Sequence, residues 1–359
     1  MPSVAVAEKE PLRIVSSYYM KQRDFEKEIL DVIKLRNLEN IRSQFLIFDL
    51  SNTYWHDLGA LLWLISLLHK LKKQSNDLQI LLPEPVDEKG ERVWDFLIRW
   101  RFFETLAVCV DAPVNLLKPE QVPHMKRESK YTLPTVHDEY GRNVMGHTLR
   151  ILEMTTKIQP SESQTSTETD LSRFLQKYND QIIIYALSQL CGWDTSLTMT
   201  YVQRVIREGL ENSFAHSEGT FSNISMILDK KNLTLVICDN GIGIPKVLRN
   251  AFQSSDNHKD LLRSSDVDLI KYFTEPDLII DSRLIKYSVE KGTSSKRERK
   301  GLGLYYLKSL VLSQGGELRI RSGRACVDFT KSGEQTYDNM IGSPGTMLRI
   351  QTPLKDDTR

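Results

Sequence analysis

The chain has 359 residues, of which 40% are hydrophobic and 26% charged, and its formal net charge is +1 at pH 7. That length suits two or three domains with separate cores, the composition is that of an ordinary soluble globular protein, and the near-neutral charge excludes a strong field directed at nucleic acid or an anionic membrane. No apolar run approaches the roughly 20 residues of a membrane span. The four cysteines, Cys109, Cys191, Cys238 and Cys326, are scattered without CxxC spacing, as expected of reduced core thiols. The N-terminus has no basic start and no long apolar stretch, so no signal peptide is expected and a cytoplasmic location follows.

Residues 1–11 read as a tail. Over 12–112 strands and helices alternate. Phe45–Leu50 is an apolar run suited to a buried strand, Gly59–Lys73 has a wide apolar helical face, and Leu78–Leu82 is a strand stopped by Pro83 and Pro85. Arg92–Trp100 is the next helix. This order predicts a small α/β layer domain. Residues 113–192 read as a connector and helical segment. It has helical spacing over Val136–Ile158, a low-complexity loop at 160–170 and a second helix over Leu171–Cys191. From 193 to 359 the order is a helix over Leu197–His216, strands at Asn223–Leu228 and Leu233–Cys238, and a long charged segment from Pro245 to Lys300. A helix over Leu302–Leu312, ended by Gly315-Gly316, and strands at Glu317–Ser322 and Thr346–Thr352 follow.

Four short segments of this last region carry polar chemistry. Glu208, Asn212 and His216 are spaced i, i+4, i+8, which puts them on one helical face. A carboxylate there can orient a water, and a carboxamide oxygen can serve a hard cation such as Mg²⁺, which keeps most of its shell as water and phosphate. Taken alone, the same spacing describes a solvated polar stripe. The strand Leu233–Cys238 runs into Asp239, Gly241, Gly243 and Pro245. A buried Asp at a strand end can accept from an exocyclic amine such as adenine's. An ordinary Asp-Asn-Gly turn explains Gly241 but not Gly243 and Pro245 together. Gly301-Leu-Gly303 opens a helix after Lys296, Arg297, Arg299 and Lys300, a phosphate-compatible helix start behind a basic stretch, or else a charged loop before a helix. Gly345-Thr346 sits in a turn before the last strand. No GxGxxG or GxxxxGK[ST] motif is present.

Together, in this order, the four segments resemble the GHKL ATPases, the superfamily of gyrase, the ninety-kilodalton heat-shock chaperone, histidine kinases and mismatch-repair ATPases. The resemblance covers about Leu197 to Leu354. Glu208-x-x-x-Asn212 is similar to the N box, Asp239-x-Gly241-x-Gly243 to the G1 box, Gly301-x-Gly303-Leu304 to the G2 box and Gly345-Thr346 to the last box. It implies a Bergerat-type α/β sandwich, a mixed sheet with helices on one face. It also implies ATP and Mg²⁺ as cofactors, with Asn212 on the metal, Asp239 on adenine and Gly301 and Gly303 beside the phosphates. The full cofactor-binding set implied is Asn212, His216, Asp239, Gly241, Gly243, Lys296, Gly301, Leu302, Gly303, Leu304 and Thr346. Ser294-Ser-Lys296 is similar to the Ser/Thr-Lys element near the lid of several members.

Glu208 stands where hydrolysing members and the anti-sigma-factor serine kinases carry a Glu, which implies a catalytic base. Glu-Asn-Ser-Phe-Ala-His216 is also similar to the helix of those kinases. A histidine kinase needs a phosphoacceptor His on a helical hairpin, and neither His137-Asp-Glu139 nor His147 has the usual surroundings. A gyrase-type reading needs a transducer domain, which is not expected here. In the N-terminal region, Phe48 to Leu62 is similar to the strand–loop–helix of STAS domains. The phosphorylatable hydroxyl of that family is replaced here by Leu58 beside Asp57, and Asp57 is expected to cap the helix.

The sequence thus predicts a cytoplasmic ATP-binding regulatory protein, with a STAS-like module before a GHKL domain. Mg·ATP binding or hydrolysis would control a protein–protein interaction, as in partner switching. The alternative is a serine/threonine kinase acting in trans on a STAS-type partner. The middle helices would couple the two domains or form a homodimer, the protein partner stays unnamed, and neither membrane nor nucleic acid is expected as a partner.

Overall fold

The computed structural model describes residues 12–15, 19–20, 26, 41–55, 57–84, 86–99, 102–103, 106, 149–154, 193–201, 206, 208–209, 212–213, 222–228, 232–253, 281–290 and 303–353. The chain divides into two compact units, residues 1–132 and 133–359. Among the described residues no helix is long and apolar enough to cross a membrane.

In the first unit, strands β1 (Leu12–Val15), β3 (Phe45–Asp49) and β5 (Asp77–Leu81) form a parallel sheet in the order β1-β3-β5. Two-residue strands β2 (Tyr19–Met20) and β4 (Tyr54–Trp55) pair separately, also in parallel. Parallel neighbours need a crossover, which helix α1 (Leu58–Lys73) supplies between β3 and β5. From Ala60 to Leu68 every apolar side chain of α1 is buried, as are Leu46, Phe48, Leu78 and Ile80 of the strands. Asp57 caps α1, its Oδ1 accepting from Gly59 N at 2.8 Å and Ala60 N at 3.4 Å. Asn76 closes the helix–strand turn. Its Nδ2 donates to the carbonyls of Ile41 and Leu71, and its Oδ1 accepts from Gln44 N. Helix α2 (Glu88–Arg99) is anchored by Trp94, whose ring nitrogen donates to the Pro83 carbonyl at 2.8 Å.

The second unit is built on one seven-stranded sheet in the order β11-β10-β9-β12-β8-β7-β6. The strands are β6 (Leu149–Met154), β7 (Ser222–Leu228), β8 (Asn232–Asp239), β9 (Glu317–Ser322), β10 (Ala325–Thr330), β11 (Gly333–Tyr337) and β12 (Thr346–Pro353). All six described pairings are antiparallel, so the parallel pairing of a mixed sheet is not among them. Alternate strand residues, among them Leu235, Ile237, Leu318, Ile320, Val327 and Leu348, form one core with Trp193 and Tyr201, and with Ile285, Leu307 and Val311. Trp193 precedes helix α3 (Thr195–Tyr201), which carries Tyr201; the others come from α5 (Asp281–Ser288) and α6 (Gly303–Ser313), while α4 (Ile244–Gln253) packs against α5. The architecture is therefore α/β, with a parallel sheet in the first unit and an antiparallel sheet layered with helices in the second, as expected of a GHKL-type sandwich.

Three features depart from the sequence reading. Residues 149–154, inside the segment read as helical, form strand β6, because the open edge of β7 offers six residues a hydrogen-bonded ladder that outweighs local propensity. The charged segment between Pro245 and Lys300 contains α4 and α5. The hairpin β10–β11 was not anticipated: it follows Gly323, where φ is +57°. The tail, the loop at 160–170, the helix expected over Leu171–Cys191, and His137 lie outside the described residues. Replacing Asp57 by Ala should cost about 1 kcal/mol, the usual worth of an N-cap, seen as an earlier urea midpoint with unchanged slope.

Candidate functional site

The site is assembled on the helix-covered face of β8. Gly209, helical and buried, packs on that strand: a Cβ added there would fall 2.6 Å from Ile237 Cδ1. This close approach seats its neighbour Glu208 and, further along, Asn212 beside the sheet. Both then face the first residue of α6. A Cβ at Gly303 would lie 2.5 Å from Glu208 Oε2 and 3.6 Å from Asn212 Nδ2, so only glycine fits without displacing the carboxylate. The first and third segments of the sequence reading thus meet in space. Asn212 Nδ2 is buried and has no hydrogen-bond partner among the described residues. A buried amide left unpaired is costly unless something else satisfies it.

Two residues along β8 from Ile237, on the same face, stands Asp239, buried to 3% exposure. Its Oδ1 accepts from Gly241 N at 2.8 Å and from Thr346 N at 3.1 Å. The first bond is the turn expected of Asp-Asn-Gly; the second ties the turn to the start of β12. Asp239 Oδ2 accepts nothing from the described residues, so one oxygen positions the carboxylate and the other is left to an incoming donor. Burial pushes the Asp239 carboxyl up to about 7, against the lowering effect of the two N–H donors.

Gly243 has φ +82°, a left-handed conformation that a side chain would strain. A Cβ there would also meet Ser322 Oγ at 2.8 Å. Ser322 is the hub of this end of the site. Its hydroxyl accepts from Ile244 N at 2.8 Å and pairs with Thr346 Oγ1 at 2.9 Å, fastening the glycine turn and β12 to the end of β9. Below it, the buried Asp281 binds Arg249 Nη2 at 2.6 Å and Arg324 N at 2.7 Å, locking α4 and α5 to the β9–β10 turn.

Of the predicted site residues, Glu208, Asn212, Gly303 and Leu304 come together at the start of α6, and Asp239, Gly241, Gly243 and Thr346 at the end of β8. His216, Lys296, Gly301 and Leu302 lie outside the described residues. Gly209, Ser322 and Asp281 escaped the sequence reading. Gly209 had a weak signal, as an isolated glycine in a helical pattern often marks close packing. Ser322 acts on a turn 78 residues away, and nothing in its neighbourhood marks it.

Residues 199–355 match the family model described as histidine kinase-, DNA gyrase B-, and HSP90-like ATPase. The match supports an ATP-binding domain of the GHKL type, an ATPase or kinase, in this part of the chain. A search of curated proteins found no match.

The raised Asp239 carboxyl has a consequence for stability without ligand. Its folded value, about 7, exceeds the ordinary 3.8, so the folded state holds the proton more tightly between those values. Stability therefore falls as pH rises through that window. Asp239→Asn keeps an oxygen for both N–H donors and carries no charge. It should melt like the wild type near pH 4 and above it at pH 8, as scanning calorimetry at the two values would reveal.

Proposed function

We propose that this domain binds Mg·ATP and that occupancy, with or without turnover, controls how the protein holds a protein partner. The observation that carries the reading is the convergence of Glu208 and Asn212 on the glycine that opens α6. A helix N-terminus presents free N–H groups and the positive end of a dipole, where phosphate is favoured. No Cβ stands between those groups and the two polar side chains. The residues fit the nucleotide on three counts: the unpartnered Asn212 amide, the absence of room for a side chain at Gly303, and the uncommitted Asp239 oxygen.

In this reading Asp239 Oδ2 accepts from the exocyclic amine of adenine, and Asn212 turns its carboxamide oxygen to Mg²⁺. Bound Mg²⁺ would neutralise phosphate charge during phosphoryl transfer. Glu208 orients the attacking oxygen, a water or a protein hydroxyl, and takes its proton. Catalysis of this kind rests on positioning and electrostatics, so the carboxylate beside the phosphate end of the site is the group on which turnover depends. In the kinase reading the same Glu208 serves a serine or threonine of a STAS-type partner, which the first unit would resemble. With Leu58 at the acceptor position and Asp57 capping α1, that unit offers a docking surface rather than a phosphorylation site.

Asn212→Ala should lower Mg·ATP affinity at least tenfold, measured by calorimetry; undiminished affinity would defeat the site assignment. Glu208→Ala should bind ATP and lose phosphate release in a steady-state assay. Turnover that persists in this variant would remove Glu208 from the base role. Wild type that binds ATP and releases no phosphate would favour the kinase or the nucleotide-gated module over the ATPase.

A further inference from the structure

Asp239 has a neighbour on each side. On β12, Thr346 donates its N–H to the carboxylate, and its hydroxyl is already taken by Ser322. On β7, Ser222 stands directly opposite Asp239 in the antiparallel register. Opposed residues of such a pair share a face of the sheet, with Cβ atoms about 4.5–5.5 Å apart. Ser222 is 5% exposed, and its hydroxyl has no hydrogen-bond partner among the described residues. It does not bond even to the carboxylate beside it.

A buried hydroxyl without a partner costs stability, and buried polar side chains are as a rule satisfied. Packing gives no reason to keep one here, since Ala would occupy the same position without the penalty. The hydroxyl belongs to the residue opposite Asp239, whose Oδ2 accepts nothing from the described residues. The pair therefore places one donor and one acceptor on the same face of the sheet. Adenine carries the complementary pair, a ring nitrogen that accepts next to an exocyclic amine that donates. Guanine carries the reverse pair at the same edge.

We propose that Ser222 is a second base-recognition residue, whose hydroxyl donates to the ring nitrogen adjacent to the adenine amine, directly or through one water, while Asp239 accepts from the amine. This rests on the adenine reading of Asp239 given above and adds to it. Asp239 alone would reject guanine but would tolerate any ring bearing the amine. Ser222 makes the neighbouring nitrogen a requirement as well.

The test compares ATP with 1-deaza-ATP, in which that nitrogen is a C–H, using calorimetry on the full chain. Wild type should bind ATP roughly three- to tenfold more tightly than the analogue, the worth of one neutral hydrogen bond. Ser222→Ala should lose that factor for ATP and lose nothing for 1-deaza-ATP, and without nucleotide it should melt at or above the wild-type temperature. Equal wild-type affinity for the two nucleotides overturns the proposal without any variant. So does an equal loss for both in Ser222→Ala, which would mean a structural role. Asp239→Asn separates the two levels. If it binds ATP as the wild type does, the adenine reading itself fails. If it binds weakly while Ser222→Ala is unchanged, only the role of Ser222 fails.

Discussion

The site depends on one carboxylate oxygen. Asp239 Oδ1 accepts from an N–H two residues ahead and from another 107 residues ahead, and so fixes the glycine turn and the start of β12 about a single point. Both donors stabilise the ionised form, yet burial prevails and the carboxyl sits near neutrality. Such a group is a poor structural element by itself. It is well suited to a task in which a bound donor repays the desolvation that folding left outstanding.

The surroundings are rigid by comparison. Ser322 fastens the turn through Ile244 N, and Asp281 holds Arg249 and Arg324 N beneath it. Arg321, fully buried, donates to the carbonyls of Gly323, Ala325 and Ile341 and so pins the chain ahead of Gly345 against the β9–β10 turn. A guanidinium spread over three carbonyl oxygens restrains both the β9–β10 turn and the chain at Ile341. Against that framework Asn212 Nδ2 and Ser222 Oγ are buried without a partner among the described residues, as are Thr198 Oγ1, Asn223 Nδ2 and Ser225 Oγ of the same unit.

Local signals carried much of the fold. Apolar or alternating runs of five to seven residues gave β3, β5, β8, β9 and β12 within about a residue, and the glycine pair ending α6 makes the hydrogen bonds of a helix stop. What local signals could not carry was partnership. Strand β6 is read as helix because its pattern is ambiguous and its stability comes from β7, far along the chain. Asp281 looks like one charge among many until Arg249 and Arg324 are placed beside it. The candidate site was legible where a residue type betrays its task locally, as with Asp239, Gly243 and Gly303. It was illegible at Gly209, Ser222 and Ser322, whose roles exist only through strands and helices brought in from elsewhere.

The position of β6 bears on where this chain can be divided. The segment that matches the ATPase family begins at residue 199, but the sheet of that domain begins at Leu149. A fragment cut at the family boundary would strip β7 of its outer neighbour and bare the edge of the six residues Asn223–Leu228, the kind of edge on which chains pair with one another. The natural physical fragment is residues 133–359, in which the upstream strand covers the β7 edge of the sheet.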